Sequence, residues 1–170
     1  MRQLAPFLLL AACLCGTLPL CAQVTFEIKN AGLTVLGSFE GHTMDIVYNP
    51  SHPEQASFQG TIDVSTIDTG IELRDKHLKD EDYFDVAEHP TMTYVSNQVT
   101  PLDNGHLNVA GTLTIKGESR GIRFEVVPEK MAEGWRFSTE IQLDRLDYGV
   151  GQSSWILADE VTCFIQGTLN

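Results

Sequence analysis

The chain has 170 residues, 42% of them hydrophobic, with 11 Lys and Arg against 23 Asp and Glu and a formal net charge of -12. That size and composition fit one domain with a sizeable core and exclude collagen-like, disordered and multi-domain readings. No basic stripe is present to neutralise phosphates, so nucleic acid is not an expected partner, and the scattered acidic residues read as a solvated surface.

Met1-Arg2-Gln3 gives a short cationic start, residues 4–20 are uncharged and rich in Leu and Ala, and Cys21-Ala22 offers small residues at a cleavage point. The pattern predicts a signal peptide over 1–22, a domain over 23–170, and a periplasmic or secreted product. Pro6, Gly16 and Pro19 interrupt the apolar run, which argues against a retained transmembrane helix. Leu10-Ala11-Ala12-Cys13 has the order of a lipoprotein acylation site, so anchoring through Cys13 or Cys21 is the alternative. Removal of 1–22 leaves Cys163 as the one thiol, so stability has to come from the core. In the alternation Val161, Cys163, Ile165 it reads as a small buried hydrophobe.

Apolar residues then recur with a period of two, the period of a sheet with one buried face. Val24, Phe26 and Ile28 form a first set, Leu33, Val35 and Phe39 a second, Met44, Ile46 and Tyr48 a third, and Phe58, Ile62 and Val64 a fourth. The segment 66–90 breaks the pattern. Thr69-Gly70-Ile71-Glu72 fits a capping box and predicts a short helix near 69–85, with a second turn toward Tyr83-Phe84 and a return to strand at His89-Pro90. The sheet period resumes through Met92-Tyr94, Leu107 to Ile115, Ile122 to Val126, Trp135 to Leu143 and Val161 to Leu169, with hairpin turns at Asn104-Gly105 and Lys116-Gly117. About eight to nine antiparallel strands with short connections predict an all-β, up-and-down barrel with one helical insert, a β-sandwich being the alternative.

The run Asp63-Val64-Ser65-Thr66-Ile67-Asp68-Thr69-Gly70, followed by Arg74-Asp75-Lys76-His77-Leu78-Lys79, Asp82-Tyr83-Phe84-Asp85-Val86 and His89-Pro90-Thr91-Met92, resembles the YceI-like polyisoprenoid-binding family. Val109-Ala110-Gly111-Thr112-Leu113-Thr114-Ile115-Lys116-Gly117 and Leu146-Asp147-Tyr148-Gly149-Val150-Gly151 extend the likeness over residues 24–170. The usual His-Ser start of the first strand is replaced by Thr25-Phe26. The resemblance implies an exported, lipocalin-like antiparallel barrel whose interior holds a polyisoprenoid, an isoprenoid quinone or a fatty-acid derivative. The function expected on that basis is carriage, storage or sequestration of the ligand, with transient membrane contact for its exchange.

The alternation puts Leu33, Val35, Phe39, Ile62, Val64, Leu113, Ile115, Phe124, Phe137 and Ile141 on the inner face, where they either line a ligand site or fill the core. Arg74, Lys76, His77 and Lys79 form the densest cationic cluster and are candidates, with Tyr83, Phe84 and Trp155, for a head group at the barrel mouth. Their alternative role is a solvated helix face, and Asp75, Asp80, Glu81 and Asp82 dilute the charge. His77 and His89 with Asp75 and Asp85 are the one cluster suited to acid/base or metal chemistry, but no metalloprotease, Cys-x-x-Cys, nucleophile-elbow or P-loop motif accompanies them. No catalytic activity, cofactor or metal is therefore expected. A ligand-free structural domain stands as the first alternative, and a metal- or His-dependent enzyme using the His77/His89 region as the second.

Overall fold

The computed structural model describes residues 22–169. The strands are β1 (Gln23–Asn30), β2 (Leu33–Phe39), β3 (His42–Val47), β4 (Ser57–Asp63), the two-residue β5 (Ile67–Asp68), β6 (Thr91–Pro101), β7 (Leu107–Ile115), β8 (Glu118–Lys130), β9 (Trp135–Asp144) and β10 (Leu157–Leu169). One α-helix, α1 (Glu72–Leu78), lies between β5 and β6, and 3-10 turns occupy Val64–Thr66 and Arg145–Tyr148.

All ten strands belong to one antiparallel sheet in the order β3-β4-β6-β7-β8-β9-β10-β1-β2-β5. Because β1 pairs with β10, the first strand lies along the last and the sheet curls on itself. The lipocalin-like all-β fold read from the sequence is present as a half-barrel, not a closed ring. β2 and β3 share no ladder, and Gly41 in the turn between them is held to the end of β4 and the 3-10 turn after it: Gly41 N–H donates to Thr66 Oγ1 at 2.9 Å and Asp63 N–H to Gly41 O at 2.7 Å. β3 instead leans over the sheet, with Met44 and Ile46 against Gly167 of β10, where a side chain would leave them no room.

Two local features give the sheet its curl. β8 pairs with β7 as far as Val126 and with β9 from Val127 onward, so one long strand belongs to both halves of the half-barrel. The β6–β7 register shifts between Ser96 and Gln98, a bulge that increases twist. The β7–β8 hairpin closes through Lys116 and Gly117 at φ 49 and 78, the pair of positive angles that matches the strands' own twist.

The helix begins later than the capping box predicts, and by a different contact. Its N-cap is Ile71, which offers no side-chain bond, while the Asp75 carboxylate accepts from the Thr69 backbone N–H at 2.9 Å and from the Thr69 hydroxyl. Gly70, at φ 77, turns the chain so that Thr69 faces Asp75 one turn into the helix. Beyond α1, bonds such as Phe84 N–H to Leu78 O and Val86 N–H to Lys79 O, both 3.1 Å, fold residues 79–89 into a knot that points Tyr83 and Phe84 inward.

The core has two centres. One gathers Phe58, Val99, Leu107, Val109, Val126 and Phe137, with Tyr48 and Trp135 packed against it. The rings of Tyr48–Trp135 and Tyr48–Phe137 meet edge to face at 5.1 Å, which closes that end of the half-barrel with aromatic side chains. The other centre, around Val24, Phe39, Val64, Ile67, Met92 and Tyr148, lies toward α1.

Candidate functional site

Between these centres the inward faces of the strands enclose free space. A lower chamber of about 160 Å³ is walled by residues that include Ile62, Leu113, Phe124, Phe137 and Ile141. An upper chamber of about 660 Å³ lies beneath α1 and the 79–89 knot, with Val35, Ile67, Tyr83, Phe84 and Tyr148 in its wall. Phe26, Phe39, Met92, Ile115, Leu143 and Cys163 belong to both walls and form the waist between the chambers. The upper chamber reaches the surface, since Ile71 and Leu73, which line it, are 53% and 79% exposed.

The interior is hollow, and burial along the strands reflects it. Ile62, Leu113, Phe124, Leu143 and Cys163 all point inward yet are only half-buried, because their free surface faces the chambers. Ordinary cores leave few voids larger than a water molecule.

Of the ten residues expected on the inner face, eight line a chamber: Val35 the upper, Phe39 and Ile115 both, and Ile62, Leu113, Phe124, Phe137 and Ile141 the lower. Two are corrected. Leu33 has the inward parity of β2 but sits at the strand's first residue, beyond the end of the chamber, and is 73% exposed. Val64 is 1% exposed but lies in the 3-10 turn after β4, where the strand period has ended, and packs into the core without lining either chamber.

The mouth residues also divide. Arg74, His77, Tyr83 and Phe84 line the upper chamber, whereas Lys76, Lys79 and Trp155 do not. Trp155 is 96% exposed, on the loop before β10. Arg74 is held in place: its Nε–H donates to Thr69 Oγ1 and its Nη2–H to Thr69 O, each at 2.7 Å. The His77 ring meets Tyr83 edge to face at 5.0 Å, with Nδ1 3.8 Å from the Asp80 carboxylate. His89 packs on Gly117 of the β7–β8 turn, and among the described residues no group of three His, Cys, Asp or Glu side chains could hold a metal ion.

Three wall or near-wall residues were not legible as such in the sequence. Arg145, 6% exposed, lines the upper chamber and donates to Ala158 O, Val150 O and Gln152 O at 2.7 to 2.9 Å and to Asp159 Oδ1 at 2.9 Å. Its charge is thus fully paired, as a buried guanidinium requires, and it ties the loop 149–158 to the end of β9. Cys163 sits at the waist, where burial pushes its thiol up to about 11. Tyr94 lines the lower chamber with a buried hydroxyl that lacks a hydrogen-bond partner, and burial pushes its phenol up to about 12.

An antiparallel half-barrel with one aromatic end, an apolar two-chambered interior and a mouth under a short helix defines the lipocalin-like class of β-barrels. The chain belongs to the YceI-like domain family, whose model matches residues 19–169. It is 27% identical over 145 residues to a UPF0312 protein of Vibrio cholerae, covering 79% of this chain and 77% of the relative. A UPF0312 protein of Pectobacterium atrosepticum is 29% identical over 105 residues, 61% of this chain and 54% of that one. Among solved structures, BcnA of Burkholderia cenocepacia superposes with a TM-score of 0.84 at 27% identity, over 88% of this chain and 96% of BcnA. A polyisoprenoid binding domain from Saccharophagus degradans shares the fold, with a TM-score of 0.64 at 14% identity over 85% of this chain and 91% of that one.

Proposed function

We propose that this protein binds an amphiphilic isoprenoid, an isoprenoid quinone or a fatty-acid-like lipid and carries, stores or sequesters it outside the cytoplasm. The observation that carries this reading is the apolar interior, two chambers that share six wall residues, the upper one opening beside Arg74 and His77. The upper chamber has the volume of a small-molecule site, and the lower is close to the roughly 150 Å³ that accepts one benzene ring. A tail therefore passes the waist with about one isoprene unit in the lower chamber and the rest above it. Removal of chain surface from water, at roughly 25 cal/mol per Å², drives the association.

Membership of the YceI-like family and the fold shared with a polyisoprenoid binding domain support the ligand class. Export rests on the N-terminal pattern, most of which lies outside the described residues, as do Cys13 and Cys21. The arrangement asks for no bond-making step: the chamber walls are almost wholly apolar and Arg74 and Arg145 are already engaged.

The test is uptake of a short-tailed prenylated quinone followed by native mass spectrometry. Wild type is expected to bind one molecule, and Leu113→Trp, which fills the lower chamber, to lose most of that affinity while keeping its circular dichroism. Equal uptake by the variant would place the tail elsewhere. Arg74→Ala is expected to weaken retention of a carboxylated ligand several-fold more than that of the quinone, with Lys79→Ala, outside the wall, without effect.

A further inference from the structure

Single exposed apolar residues are ordinary, but a cluster around an apolar opening is not. Leu33, Ile71, Leu73, Trp155 and Ile156 are 73%, 53%, 79%, 96% and 45% exposed. They sit on three segments that meet at the mouth of the upper chamber. Asn30, in the chamber wall, pairs with Leu33 on one side and with Leu157 on the other, and Ala31 N–H donates to Ile156 O at 2.7 Å. Ile71 and Leu73 are wall residues themselves.

This rim is also short of charge. Residues 30–33 and 149–157 contain no Asp, Glu, Lys or Arg, in a chain whose net charge is -12. On α1, Glu72 and Asp75 are matched by Arg74 and Lys76. The 79–89 segment over the same chamber is acidic, with Asp80, Glu81, Asp82, Asp85 and Glu88 against Lys79, so the side of the mouth free of acidic excess is the one formed by residues 30–33, the start of α1 and 149–157.

We propose that this apolar rim seats the mouth on the surface of a lipid bilayer, so that ligand passes between membrane and cavity without crossing water. The inference rests on the interior being a lipid site. A tail that moved through water would expose all the surface whose burial drives binding, so a mouth for such a tail has to meet the phase in which it dissolves. Trp155, fully presented beside the opening, is the residue type that settles at a membrane interface. Because Arg74 and Lys76 on α1 are balanced by Glu72 and Asp75, the rim carries no net positive charge, and contact is apolar, shallow, reversible and insensitive to salt.

The experiment uses phosphatidylcholine vesicles, plain and with brominated acyl chains, and the purified protein beside Trp155→Phe. The difference in emission between the two isolates Trp155, so membrane affinity elsewhere in the chain does not produce the signal. Brominated vesicles are expected to quench that difference, equally at low and high salt. Leu33→Ser/Trp155→Ser, which alters neither chamber wall, is expected to slow uptake of a prenylated quinone from vesicles at least tenfold, the effect of losing part of two side chains' apolar burial. Its final load from a cyclodextrin donor should be unchanged. An unquenched Trp155, or an unaltered vesicle rate, would overturn the proposal, as would a concentration-dependent dimer that shields Trp155 without vesicles. If no quinone enters from either donor, the lipid-site reading fails, and bromolipid quenching still decides whether the rim meets a bilayer.

Discussion

Cys163 shows how a single residue reports the hollow interior. Its thiol is remote from bulk water yet unpacked on the chamber side, and burial pushes it up to about 11 from an ordinary value of 9.0. At pH 8 about one thiol in a thousand is then ionised, so alkylation by iodoacetamide is expected to be slow and to stop when ligand fills the waist. The raised value also sets a sign for stability. The folded state holds the proton more tightly than the unfolded one, so stability is level below pH 9 and falls as pH rises from 9 toward 11. The expected loss is about 1 kcal/mol by pH 10 and about 2–3 kcal/mol by pH 11, and urea melts of Cys163→Ala should lack this contribution to the decline. Parallel pH profiles for variant and wild type would show that the thiol ionises freely in the fold.

Two glycines separate packing from mere exposure. A Cβ on Gly111 would stand 2.4 Å from both Tyr94 Oη and the Val95 carbonyl oxygen, and the backbone atom cannot give way. Gly111→Ala is therefore expected to cost about 1–3 kcal/mol. Gly121 has nothing within 4 Å of the same atom, so Gly121→Ala should leave stability unchanged in the same melts.

At the level of elements, the mouth depends on how its loops are braced. Lys116 Nζ, from the β7–β8 turn, donates to Glu81 O at 2.7 Å and Gly149 O at 3.0 Å, and Gly151 N–H donates to Asp82 O at 3.0 Å. Arg145 holds the other side of the same loop through Val150 and Gln152. Arg145→Met should cost about 2–4 kcal/mol, since three carbonyls and Asp159 lose a charged donor. Amide exchange should accelerate first over 149–157, ahead of β9 and β10. Uniform loosening of the whole sheet would contradict a local bracing role.

The sequence discloses the strands because one face of each is apolar, and parity alone places Phe39, Ile62, Leu113 and Ile141 in the wall. Parity carries no information on where a strand outruns the cavity, which is why Leu33 is misplaced, or on where a strand ends, which is why Val64 is. Arg145 and Cys163 are hidden for another reason: their roles follow from partners 5 to 14 residues away and from a hollow that exists only after folding. The capping-box spacing at Thr69 is real, but Gly70 in the left-handed region redirects the hydroxyl to Asp75.

For the molecule as a whole, three properties coincide: a curled sheet that closes one end with aromatic rings, a hollow apolar interior, and an exposed apolar rim at the other end. The acidic remainder repels anionic surfaces, which keeps contacts with them brief. A bound lipid occupies space that the empty protein leaves unfilled, so saturation at 100 times Kd should stabilise the fold by about 2.7 kcal/mol.

The central claim is that the interior is a lipid site. It is tested most directly by mass spectrometry of the organic extract of protein purified without detergent, beside native mass spectrometry of the intact complex. One isoprenoid, quinone or fatty-acid-like molecule per chain is expected, lost in Leu113→Trp. A protein that is empty as isolated, and that takes up none of these ligands when they are supplied, would contradict it.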